Sequence, residues 1–115
     1  MLTISHLDGW GFDSWAGTVK EKDLLAADLP PRKRPKQNGP CHRLLTSPVV
    51  LADGRVNACA CRDVEAQLII GSVHERPLQE ILRGTELHKL LEQHQAFETL
   101  PEVCRRCTFY ESIYP

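Results

Sequence analysis

No run of apolar residues in this 115-residue chain approaches the roughly 20 that a membrane-spanning helix needs. The start, Met1-Leu-Thr-Ile-Ser-His-Leu-Asp-Gly-Trp10, has neither a basic leader segment nor a continuous apolar core of the kind that directs secretion. The expected compartment is therefore the cytoplasm, where thiols stay reduced. Charge of one sign is also lacking: the net charge is −1, which gives no reason to expect nucleic acid or an anionic membrane as a partner. The cysteine count of five is odd and fits a closed set of disulfides poorly. There is no internal repeat, and no acid/base or nucleophile constellation stands outside the cysteines. Catalysis by this chain alone is not expected.

What is present is thiol chemistry. Cys41, Cys59, Cys104 and Cys107 are drawn from three distant stretches, and the last two form a Cys-x-x-Cys that can bend both sulfurs onto one centre. Cys61, two residues after Cys59, is a fifth candidate and an alternative ligand. A chain of this length buries only a modest core, so a bound metal would help to hold it together.

Residues 1–40 read as an N-terminal segment ending in a linker. Leu2, Ile4 and Leu7 have the spacing of a short strand. Gly9-Trp10-Gly11-Phe12-Asp13-Ser14-Trp15-Ala16-Gly17 reads as an irregular loop, with Trp10 and Trp15 expected to pack beneath it. Pro30-Pro31-Arg32-Lys33-Arg34-Pro35-Lys36 reads as a stiff, solvated, polyproline-like connector.

Residues 41–115 read as the metal-binding domain, of α+β class: a small β-hairpin followed by short amphipathic helices, stapled by a four-cysteine cluster or metal site. Leu44–Leu51 and Arg55–Cys61 flank Ala52-Asp53-Gly54, a hairpin signal because glycine tolerates the positive φ such turns require. Alternation would place Cys59 and Cys61 on one face of the second strand. Gln67–Val73 is a third extended segment. Pro77 can open a helix over 77–83, and Thr85 can cap a second over 86–95; Leu78, Ile81, Leu82, Leu87, Leu90 and Leu91 form the apolar stripe. Pro101 is expected to start a loop carrying Cys104 and Cys107.

Thiolates suit both zinc and iron–sulfur clusters. A second Cys-x-x-Cys, usual in a zinc ribbon, is missing, and a cubane cluster has four separate iron corners that accept ligands from separated loops. That favours a 4Fe-4S cluster over zinc. Arg43, Arg62, Arg105 and Arg106 all lie within two residues of a cysteine, where cations favour the thiolate; each is equally readable as a solvated surface residue. His42 adjoins Cys41 and is an alternative ligand, whereas His74, His88 and His94 read as surface or helix residues. Thiol oxidoreductase chemistry at Cys104 and Cys107 is disfavoured, because the pair follows a helix instead of opening one after a strand.

Cys41-x12-Gly54-x4-Cys59, a Leu-x-Ile-Gly-x-Val segment, a Pro-Leu-x-x-Ile-Leu helix and Cys104-x-x-Cys107 together resemble the SPASM/Twitch domain, the C-terminal extension of many radical S-adenosylmethionine enzymes. The resemblance covers roughly residues 40–110. It implies one auxiliary 4Fe-4S cluster held by Cys41, Cys59, Cys104 and Cys107, as in the half-size form; the full form holds two clusters and needs seven cysteines. It also implies a job in electron relay, substrate docking or structural support, beside a radical S-adenosylmethionine barrel protein or a peptide substrate. The catalytic Cys-x3-Cys-x2-Cys of that barrel is missing here, so the chain is not expected to be a complete enzyme of that class. The alternative from another class is a structural zinc module that supports a protein-interaction surface.

Overall fold

The computed structural model describes residues 11–114. The expected strand at Leu2, Ile4 and Leu7, and Trp10, lie outside the described residues. Helix α1 (Glu21–Ala26) precedes a second short helix, α2 (Arg43–Thr46), and then strands β1 (Val49–Val50), β2 (Arg55–Asn57) and β3 (Ile69–Ser72). Helices α3 (Leu78–Leu82) and α4 (Thr85–Gln93), a 3-10 turn at Phe97–Thr99 and helix α5 (Glu102–Arg106) complete the order. The fold class is α+β, as expected.

The three strands form one antiparallel sheet in the order β1-β2-β3. Val49 pairs with Asn57 and Val50 with Val56, closing the hairpin around Asp53-Gly54. Gly54 has φ +91°, its N–H donates to the Leu51 carbonyl at 2.9 Å, and Asp53 Oδ1 accepts the Arg55 N–H at 3.1 Å. The turn is thus built by the residues that the sequence marks for it. A bulge between Val56 and Asn57 breaks the β2–β3 register and ends β2 early.

Val56, Ala58, Leu68, Ile70 and Ile81 are buried together with Leu44, Leu87, Leu90 and Val103. Helices α3 and α4 lie on β3. Gly71 permits that approach: a Cβ there would stand 3.1 Å from both Cγ atoms of Ile81. Cys59, Cys104 and Cys107 pack on the edge of the same core, so the fold and the thiol site share a wall.

Several local expectations are corrected. Leu44–Thr46 is helical instead of extended, because Pro48 cannot donate to a ladder and pairing begins only after it. Cys59 and Cys61 lie beyond β2 in a loop, where Asn57 Nδ2 turns back to the Cys59 carbonyl at 3.0 Å. The helices expected over 77–83 and 86–95 form within one to two residues of those bounds, but Gly84 and not Thr85 is the N-cap. Cys104 sits on a helix and Cys107 caps it, not in a loop: Pro101 caps α5, Val103 is buried beneath it, and Glu102 pairs with Arg105 at 3.5 Å and Arg106 at 3.7 Å.

Trp15 is 44% exposed rather than packed in the core, and Arg62 lies over its ring at 3.8 Å from the centroid. The basic connector is not a solvated linker either. Pro31 bridges to Phe12, Arg32 lies over Phe109 at 4.9 Å, and Arg34 donates to the Cys104 carbonyl at 3.3 Å.

Ile81 is fully buried between helix and strand, so Ile81→Ala is predicted to cost about 2–5 kcal/mol. Urea unfolding under reducing conditions measures this; a loss below about 1 kcal/mol would contradict the packing described.

Candidate metal centre

The site is assembled from four parts of the chain. Cys41 precedes α2 and is fixed by the C-terminal strap: it bridges to Ser112, and the His42 N–H donates to the Glu111 carbonyl at 2.7 Å. Tyr110 reinforces this strap, its hydroxyl donating to the Gly39 carbonyl at 2.9 Å and accepting the Asn38 N–H at 2.8 Å. Cys59 and Cys61 ride on the loop after β2. Cys104 and Cys107, three apart at the end of α5, project from one turn of helix.

The Cys59–Cys61 loop is held by buried polar groups. Asp63 Oδ2 accepts from Asn57 Nδ2 at 3.0 Å and from the Leu68 N–H at 2.9 Å, while Oδ1 accepts the Gln67 N–H at 3.0 Å. A single carboxylate therefore closes the loop that presents two thiols.

All five thiols line one cavity, together with Arg34, Arg43, Arg62, His94, Phe109 and Tyr110. Cys41 is buried and the other four are half-buried, and none is in a disulfide. Among the described residues, no group of three or more His, Cys, Asp or Glu is gathered as a single-ion site, and the five thiols are all in the cavity wall.

Burial dominates the electrostatics of three of these thiols. Burial first, and then the charges of Cys59, Cys107 and Cys41, push the Cys104 thiol up to about 12. Burial first also pushes Cys107 up to about 11, with Cys41 and Cys59 among the charges that raise it. Cys41 is raised by burial, partly offset by backbone hydrogen bonds at Glu111 and Arg43, and Cys59 again raises it. Cys59 is a shared cause of all three shifts. Thiols this desolvated hold their protons at neutral pH, unless a cation takes the place of those protons.

The surroundings offer what a thiolate-bound group requires. The Cys61 N–H donates to Cys59 Sγ and the Phe109 N–H to Cys107 Sγ, both at 3.3 Å and both from two residues downstream. Arg62 donates to Cys61 Sγ at 3.3 Å. Phe109 is flanked by Arg32, Arg43 and Arg62 at 4.9, 4.7 and 4.1 Å from its centroid. Arg34 lies over Tyr110 at 4.6 Å. Guanidiniums on ring faces keep positive charge beside the cavity; burial lowers the Arg34 pKa, and Cys107, Tyr110, Cys104 and Cys41 act to raise it. The donor set fits a thiolate-ligated metal group.

Of the arginines expected near the site, Arg43 and Arg62 line the cavity, whereas Arg105 and Arg106 do not line it and pair with Glu102. His42 is not among the cavity-lining residues. The reading of His94 as a surface or helix residue is corrected: it is 1% exposed and lines the cavity. Its signal was present in the sequence, since His94 continues the stripe of Leu87, Leu90 and Leu91 at helical spacing. Arg34, Asn57 and Asp63 had no such signal.

Fold and site together define a small α+β module built around a thiol-lined cavity. The family model for the SPASM iron–sulfur cluster-binding domain matches residues 41–108, more than half of the chain and all five cysteines. The chain belongs to that family and is an iron–sulfur cluster-binding domain. No curated protein and no solved structure matches it. No helix among the described residues is long and apolar enough to cross a membrane.

Two outcomes follow from this geometry. Adding zinc or ferrous iron to the reduced, metal-free chain in weak buffer at pH 7 should release about one proton per ligating thiol, with affinity rising as pH rises. Release of less than about one proton in total would contradict ligation by these thiols. Asp63→Ala strands buried donors, each costing about 1–3 kcal/mol, and should at least halve the iron retained after desalting. Retention equal to wild type would remove Asp63 from the site's support.

Proposed function

We propose that the chain binds one 4Fe-4S cluster through Cys41, Cys59, Cys104 and Cys107, as an auxiliary module of a radical S-adenosylmethionine system. The observation that carries this reading is the convergence of these four thiols on one cavity in a SPASM-family chain. The origin of the thiols in three separate stretches, with a single Cys-x-x-Cys, supports a cluster over a single zinc ion. A zinc ribbon would offer a second Cys-x-x-Cys, whereas a cubane has four separate iron corners that accept ligands from separated loops. Five cysteines suffice for one such cluster and not for two.

A bound cluster supplies one-electron storage at a potential set by burial, charge and hydrogen bonds to sulfur. The chain's own residues supply the rest. Cys41, held by the C-terminal strap, and the Asp63-braced loop both present thiols to the cavity. The N–H groups of Cys61 and Phe109 stabilise sulfur as thiolate, and Arg34, Arg43 and Arg62 offset negative charge. With a cysteine on every iron corner, electron relay or structural support is favoured over direct ligation of substrate. The partner in this reading is a radical S-adenosylmethionine barrel protein or a peptide substrate, and neither nucleic acid nor membrane.

Serine variants test the ligand set. Cys59→Ser, Cys104→Ser and Cys107→Ser should each lose most of the iron bound after anaerobic reconstitution, and Cys41→Ser likewise, while Cys61→Ser retains it in full. If Cys61→Ser loses iron and Cys41→Ser keeps it, the assignment is wrong.

A further inference from the structure

His94 sits at the C-terminal end of α4, where its N–H donates to the Leu90 carbonyl at 3.1 Å and its own carbonyl accepts from Gln37 Nε2 at 2.8 Å. Backbone contacts thus fix it from two sides. Its ring lies beside Cys41, whose backbone N–H donates to Nδ1 at 3.2 Å. Because that partner can only donate, Nδ1 carries the lone pair and the ring proton resides on Nε2. Nε2 is buried and has no hydrogen-bond partner among the described residues. A buried N–H without an acceptor is costly, and native structures rarely keep one without a reason. The same side chain lines the thiol cavity.

Of the side-chain acceptors lining that cavity, the Asp63 carboxylate already accepts from Asn57, Gln67 and Leu68 and the Tyr110 hydroxyl is engaged with Asn38 and Gly39, which leaves the sulfurs for Nε2–H. We propose that His94 Nε2–H donates a hydrogen bond to a sulfur of the bound iron–sulfur cluster, making His94 a positioning residue that raises the cluster's reduction potential. The inference rests on the cluster reading given above. Reduction adds negative charge that is spread over the sulfurs, and an N–H donor stabilises that charge, so the reduced state gains more than the oxidised state. His94 is then bifunctional: Nδ1 orients the Cys41 backbone, and Nε2 acts on the cluster. A histidine that served packing alone would not require a buried, unpartnered N–H on a residue that lines the thiol cavity.

The two roles are separable by substitution. His94→Asn keeps a polar atom near Nδ1 and removes the distal donor; His94→Gln places an amide N–H near the position of Nε2. With iron and sulfide content measured first on the anaerobically reconstituted full chain, His94→Asn should shift the midpoint potential to lower values at unchanged iron loading. His94→Gln should move it back towards wild type. An unchanged potential in fully loaded His94→Asn would overturn the proposal. Should the variants load poorly, the wild-type chain carrying 15N-histidine still decides the matter. Pulsed electron paramagnetic resonance of its reduced cluster should detect coupling to a histidine nitrogen, and absence of that coupling overturns the proposal. A wild-type chain that takes up no iron and sulfide overturns the cluster reading itself, and this proposal falls with it.

Discussion

Crowding of desolvated thiols is the constraint on which the rest of the structure depends. Burial raises the Cys41, Cys104 and Cys107 thiols, and Cys59 adds to each of the three shifts. Neutral thiols in this cavity contribute little beyond ordinary apolar contact. Thiolates there would repel one another at high cost without a compensating cation. A metal group turns that conflict into the main staple of a domain whose strands run only two to four residues. Elements this short need such help, because three strands and a few turns of helix bury a limited apolar area. Core and cavity are accordingly continuous, with Val103 under α5 and Leu44 and Leu68 lining both.

A second layer answers the negative charge that thiolate ligation brings. Arg32, Arg43 and Arg62 surround Phe109, and Arg34 spans Tyr110, Phe97 and the end of α5. These cations come from three separate stretches, and each is supported on an aromatic face. Arg62 is further tied to Asp13, which also accepts from Thr108. That contact links the segment preceding the first cysteine to the residue following the last. The N-terminal portion of the described chain is thereby folded over the centre it precedes.

Local chemistry explains what was legible in the sequence. The Asp53-Gly54 turn, the helix openings near Pro77 and the Leu78–Leu91 stripe all depend on neighbouring residues and formed close to where they were expected. The five thiols were recognisable by type and spacing, and their convergence on one cavity agrees with that reading. Long-range contacts account for the departures. Pro48 shortened β1, and Asn57 with Asp63 drew Cys59 and Cys61 out of strand geometry; neither pairing leaves a periodic trace. Arg34 reaches Cys104 across 70 residues of sequence, which no local pattern could announce. His94 is the instructive case, because its helical phase matched the buried leucines while its polarity argued for the surface.

Metal and acid-labile sulfide analysis of the anaerobically purified chain, with an absorption spectrum of the same sample, tests the central claim most directly. The account predicts about four iron and four sulfide per chain with a broad brown absorption band. About one zinc per chain and no sulfide would contradict it.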